Sequence, residues 1–118
     1  MEDERTQKLV AELRRGTLVL CVLSQLQQRQ YGYSLKEALA ELGIDIDQGT
    51  LYPLLRRLEE QGLLDNEWVL SESRPRRYYQ LNAAGKSVLE GLTAEWREMV
   101  QAIDRVLEEG EGSHHGTD

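Results

Sequence analysis

The stretch DQGTLYPLLRRLEEQG, Asp47 to Gly62, decides how the chain reads. At about 3.6 residues per turn, Leu51, Leu54, Leu55 and Leu58 fall at i, i+3, i+4 and i+7, one apolar stripe of the kind that packs on a core. The opposite side carries Gly49, Pro53, Arg56 and Glu60, flanked by Tyr52 and Arg57. Asp47 or Thr50 can cap such a helix. Pro53 favours a start near Thr50, because proline is tolerated in a first turn but costs about 3 kcal/mol in a helix interior. Gly62 is placed to end it.

Upstream, QYGYSLKEALAELG reads as a second punctuated helix. Ser34 is its expected N-cap, with Glu37 positioned to complete a capping box. Leu35, Ala38, Leu39 and Leu42 form the expected inner stripe, and Gly43 the stop. Two short capped helices joined by the brief IDID connection have the layout of a helix-turn-helix. Before them, Arg5 to about Gln28 is helical in composition. Gly16 weakens its middle, so it is one helix with a soft point or two in line. The run Leu18 to Leu23 is apolar nearly all round, which predicts burial on more than one side.

Downstream, Leu63 to Ser71 and Arg77 to Asn82 are strand-like by their valine, tryptophan and tyrosine. The polar ESRPR between them predicts a hairpin whose tip carries Arg74, Arg76 and Arg77. The expected fold is therefore mainly α with a small β-hairpin: a winged helix-turn-helix over residues 1–82, including the N-terminal helix. From Asn82, an apt N-cap, a last helix runs to about Glu108. Along it Leu89, Leu92, Trp96, Met99, Ile103 and Val106 alternate spacings of three and four, the seam of a short coiled coil. A helix of about 25 residues reaches nearly 40 Å, longer than so small a domain can cover. Residues 83–108 are thus expected to be a homodimerisation helix, with the first helix packed beside it. Residues 109–118, polar and glycine-rich, are expected to be a disordered tail.

Bulk composition bounds the function. The 118 residues suffice for one small domain, without an apolar run near the ~20 residues that cross a bilayer and without a signal-peptide pattern, so no membrane partner and a cytoplasmic location are expected. The single cysteine, Cys21, sits in LVLCVL, which excludes an internal disulfide and fits a small buried side chain. There is no glycine-rich phosphate loop, HExxH or nucleophile elbow, and the only histidines, His114 and His115, lack companion ligands. Neither enzyme, metal nor cofactor is expected.

The net charge is -7, but its location matters more than its size. The acids crowd into MEDE and the last eighteen residues, leaving residues 5–100 with thirteen bases and thirteen acids. Phosphate binding needs only a local basic surface, so the acidity is no veto.

LRRGTLVLCVLSQL, YGYSL, GTLYPLLRRLEEQGLL and SRPRRYYQLNAAGKSVL, in that order, resemble the PadR family of bacterial transcriptional regulators, in its short subgroup with one C-terminal helix. The likeness spans about residues 9–107. Asn82 departs from the family's more usual threonine, and both are helix N-caps; the acidic ends depart too and imply weak nonspecific DNA affinity. The resemblance implies a dimeric winged-helix protein that binds an operator in double-stranded DNA, usually as a repressor, and in many members releases it to a small aromatic or drug-like effector.

On that footing the outward face of the opening stretch enters the major groove N-terminus first, with Gly49, Thr50, Tyr52 and Arg56 best placed to touch DNA. Arginine reads guanine with two hydrogen bonds, worth roughly 1–3 kcal/mol of discrimination. Arg56 is the first choice for this, its alternative being an exposed residue paired with Glu59 or Glu60; Arg57 lies nearer the core edge. Lys36 is a backbone contact or a solvated lysine. Arg74, Arg76 and Arg77 are expected at the backbone or minor groove, but strand residues alternate, so one of Arg76 and Arg77 is structural. Trp96, near a two-fold axis, packs the interface or sandwiches a flat effector. The competing function is a winged-helix protein-interaction adaptor that binds no DNA, to which the acidity would be natural.

Overall fold

The computed structural model describes residues 3–112, so His114, His115 and the rest of 113–118 lie outside the described residues. Its elements are α1 (Glu4–Arg15), α2 (Thr17–Gln25), β1 (Gln30–Tyr31), α3 (Gly32–Glu41), α4 (Gln48–Glu60), β2 (Leu64–Ser71), β3 (Arg74–Leu81) and α5 (Ala83–Gly112). It is mainly helical, with a three-stranded antiparallel sheet in the order β1-β3-β2 and a long C-terminal helix. The soft point at Gly16 divides the first helical segment into two in line, α1 and α2. None of its helices is long and apolar enough to cross a membrane, among the described residues.

The core gathers around α2. Val22, Leu23 and Leu26 meet Leu35 and Leu39 of α3, the whole stripe Leu51, Leu54, Leu55 and Leu58 of α4, Leu64 and Leu81 of the sheet, and Leu89 of α5. Burial on several sides is why the α2 run is apolar all round. Cys21 is half-buried beside it, and the apolar surroundings push its thiol up.

The starts of α3 and α4 differ from expectation, each for a structural reason. The α3 helix starts at Gly32, capped by Tyr31 and not by Ser34. Tyr31 is held extended by pairing with Tyr78, so the chain must turn into the helix immediately afterwards. The Ser34 hydroxyl, inside the first turn, accepts from the Tyr31 N–H at 3.1 Å and donates to its carbonyl at 3.0 Å. Leu42, expected inside, is exposed because the helix has already ended there; Ile46 fills the core beyond it. In α4, Asp47 is the cap, its carboxylate accepting from the Thr50 N–H at 2.7 Å, so the helix begins two residues before Thr50 and Pro53 lies inside it. The missing proline N–H would have gone to the Gly49 carbonyl, so only one bond, at the exposed end, is lost.

Gly43 and Gly62 close α3 and α4 with left-handed φ of 91° and 79°. The following N–H groups reach back to Leu39 at 2.8 Å and Leu58 at 3.1 Å, the closure that a glycine at this position allows.

The wing is a tighter ribbon than expected. Only Glu72 and Ser73 form its turn, both at positive φ (52° and 64°), and β3 starts at Arg74. Register runs from Leu64 opposite Leu81 to Ser71 opposite Arg74. Pro75, which marks a loop in the sequence, is accommodated because β1 pairs only with Tyr78 and Tyr79, leaving one side of β3 open at Pro75. The three arginines therefore stand on a strand, not in a loop.

Asn82 caps α5, accepting from the Gly85 N–H at 2.9 Å and donating its amide to the Gly62 carbonyl at 2.9 Å. The helix continues four residues past Glu108, to Gly112, because extending an existing helix costs little compared with starting one. Leu89 is buried in the chain's own core and Leu92 packs on it; Trp96, Met99, Ile103 and Val106 are exposed. The result is elongated, 68 × 34 × 22 Å.

Candidate nucleic-acid interface

Between the start of α3, the start of α4 and the open edge of β3 lies a cleft of about 520 Å³, lined by Tyr31, Gly32, Tyr33, Gln48, Tyr52, Arg74, Pro75, Arg76, Arg77 and Tyr79. Of the residues singled out by sequence, it gathers Tyr52, Arg74, Arg76 and Arg77. Gly49, Thr50, Arg56 and Arg57 are exposed on α4 but do not line it, and Lys36 is half-buried on α3, also outside the cleft.

Tyr52 is half-fixed in place. Its ring lies so close to Gly32 that a Cβ there would stand 2.4 Å from Cε1, closer than any side chain permits. Glycine at the head of α3 thus lets α4 approach and aims the Tyr52 ring into the cleft. Tyr33 lies across the cleft, and the nearby Glu37 carboxylate pushes its phenol up. Burial, ahead of nearby charges, pushes Tyr79 up as well.

Strand alternation separates the two adjacent arginines. Arg77 faces α4, where its Nη2 donates to both oxygens of Glu59 at 3.0 and 2.9 Å and its Nε donates to Asn66 at 3.2 Å. Asn66 in turn donates to Glu59, and the Arg77 guanidinium lies over Tyr79 and Trp68 at 5.5 and 5.9 Å. This half-buried network fastens the wing to α4. Arg76 lies on the other face, over the Tyr31 ring at 4.4 Å. Tyr31 meets Tyr78 edge-on at 5.3 Å, and Arg29 covers Tyr78 at 4.7 Å while pairing with Glu67 at 2.7 Å. The ladder Arg76, Tyr31, Tyr78, Arg29 holds Arg76 without neutralising it.

The ion pairs among the described residues are Arg5 with Asp3, Arg29 with Glu67 and Arg77 with Glu59. Arg56, Arg57, Arg74 and Arg76 therefore carry charge that no carboxylate within the described residues cancels. Arg56 does not pair with Glu59 or Glu60. Of the uncancelled arginines, Arg74 and Arg76 stand beside the start of α4 and the tyrosine-lined cleft, an arrangement suited to a polyanion. Sequence reasoning placed Tyr33 at the start of the phosphate-crossing helix and expected Tyr78 and Tyr79 to face opposite ways, but it passed over Arg29, Tyr31 and Gln48; the first tyrosine of YGY was the available signal.

The predicted seam divides. Leu89 and Leu92 serve the chain's own core, whereas Trp96 stands between two apolar grooves: one of about 340 Å³ with Cys21, Leu42 and Ile44, the other of about 350 Å³ with Leu13, Val100 and Ile103. No group of three or more candidate metal-binding side chains occurs among the described residues.

A family model, the Transcriptional regulator PadR-like family, matches residues 19–91. The fold is similar to the crystal structure of a PadR family transcriptional regulator from Eggerthella lenta, at TM-score 0.86 and 48% identity over 90% of this chain and 95% of that one. It is also similar to a PadR-like transcription factor from Bacteroides fragilis, at TM-score 0.71 and 35% identity over 84% and 98%. Among curated proteins, the transcriptional regulator Rv3488 of Mycobacterium tuberculosis is 35% identical over 66% of this chain and 74% of its own length.

Proposed function

The chain belongs to the PadR-like family of transcriptional regulators, and from that premise we propose that it is a homodimeric repressor of a palindromic operator. The family makes it a regulator and not an enzyme. In the proposed complex the start of α4 enters the major groove, with Thr50, Tyr52 and Arg56 at base edges or phosphates. The wing lies beside it, with Arg74 and Arg76 on the backbone. Arg77 serves the complex indirectly, by fixing the wing against α4. Gly49 brings the backbone of the first turn near a phosphate, and Lys36 and Arg57 lie further out.

The observation that carries this reading is the set of uncancelled arginines on α4 and β3, with Arg76 held over Tyr31 and the wing itself fastened to α4 by the pair of Arg77 with Glu59. The exposed apolar edge of α5 supports pairing with a second copy, which would set two α4 helices about 34 Å apart for successive major grooves. Trp96, flanked by apolar grooves near that seam, is the natural place for a flat aromatic effector.

The test is a gel shift on the promoter upstream of the chain's own gene and on duplexes selected by the protein from a random pool, at two salt concentrations. Specific binding that weakens steeply with salt is expected, and Arg56→Ala with Arg76→Ala should abolish it while the dimer persists. Failure to select or bind any duplex at low salt would leave the adaptor as the better reading.

A further inference from the structure

Beyond Tyr78 the wing is a two-stranded ribbon, because β1 ends at Tyr31. On one face of this projecting part, Trp68 and Leu70 are 65% and 72% exposed, with Pro75 directly opposite Leu70. The other face carries Arg76 and Arg74. Single exposed apolar side chains are ordinary, but a tryptophan, a leucine and a proline side by side on an extended ribbon are a surface that expects contact. The indole is also oriented: Arg77 lies over it at 5.9 Å and is itself bound to Glu59 of α4. The distance between this apolar strip and the major-groove helix is therefore set by the fold.

We propose that Trp68 and Leu70 pack against the deoxyribose walls of the DNA minor groove next to the site entered by α4. The proposal rests on the operator-binding reading above and adds to it a contact that carries no charge. The cations on the same ribbon argue for DNA over a protein partner: Arg74 and Arg76 are unpaired, while Glu67 is already neutralised by Arg29 and Glu72 stands at the apex. The minor groove is bordered by apolar sugars and flanked by phosphates, so a ribbon with one apolar and one basic face meets both with the side suited to it. A full ribbon is wider than a groove of about 6 Å, which restricts entry to side chains and favours an indole lying along the wall.

The two faces have different salt signatures. Phosphate contacts release counterions, so losing one lowers the salt slope of binding by about one; apolar contacts release none. With a duplex enriched by the protein from a random-sequence pool as probe, Trp68→Ser with Leu70→Ser should weaken binding about tenfold at every salt concentration, leaving the slope unchanged. Arg74→Gln with Arg76→Gln should instead flatten the slope. Hydroxyl-radical cleavage, which attacks the sugars from the minor groove, should show protection beside each half-site that the serine pair loses and that remains elsewhere. Both apolar positions are exposed, so the variant should fold, and circular dichroism checks it. Wild-type affinity in the serine pair, or a loss accompanied by a flatter slope, would overturn the proposal while operator binding stands. If sedimentation changes and DNA affinity does not, the strip belongs to contacts between copies and the proposal fails. If the wild-type chain enriches no duplex, operator binding and this contact fall together.

Discussion

Two helices in this molecule carry an apolar stripe at helical spacing and meet opposite fates. On α4, Leu51, Leu54, Leu55 and Leu58 are at most 6% exposed; on α5, Trp96, Met99, Ile103 and Val106 range from 40% to 69%. The difference lies in reach. The α4 helix is about as long as the head it supports, with α2, α3 and the sheet around it. Thirty residues of α5 extend about 45 Å, and only the first three turns meet the core. Spacing describes the surface a helix offers, whereas neighbours decide whether that surface is covered. A closed head and an open rod thus share one polypeptide, and the rod's apolar edge is what a second copy would complete.

The contrast can be broken most severely inside the head. Leu55→Ala removes a fully buried side chain from the centre of the α4 stripe and should cost about 2–5 kcal/mol, read by denaturant unfolding. Ile103→Glu is the matching lesion on the rod. A carboxylate there should dissociate the proposed dimer in sedimentation, while circular dichroism and the head's unfolding midpoint stay near wild type, since this residue lies outside the head's core. A mutant that remains dimeric would remove α5 as the main interface.

A subtler change sits where the head would meet DNA in the proposed complex. Gly32→Ala places a methyl group against the Tyr52 ring and should displace it from the cleft, weakening operator binding about tenfold with a smaller loss of stability. Pairing it with Tyr52→Ala should add no further loss of affinity, because both act through one ring. The smallest effect concerns Cys21 at the head-rod junction. Its thiol is pushed up by burial, so less thiolate is present at a given pH, and alkylation of the native chain at pH 8 should be slower than that of the unfolded chain.

The stripe of α4, the helix order, the hairpin and the long last helix were legible because each depends on local pattern. The features that were not legible depend on distant partners. Tyr31 caps α3 because Tyr78, far along the chain, holds it extended. Arg76 and Arg77 could be told to diverge, but which of them faces α4 follows from a register set by a turn with no glycine or asparagine in it. Leu89 matched the seam as well as Ile103 did; only the position of the head along α5 gives it to the core. Of the candidate contacts, the arginines were visible as residue types, and the tyrosines that aim them were not.

The hairpin apex leaves room for engineering. Glu72 and Ser73 both hold a left-handed backbone, which costs side-chain-bearing residues about 1 kcal/mol or more each and suits asparagine and glycine far better. The natural ribbon is accordingly less stable than its length allows, and a two-codon exchange to Asn-Gly would raise its melting temperature without touching either face. Such a stabilised wing offers a starting scaffold for regulators that must work hot.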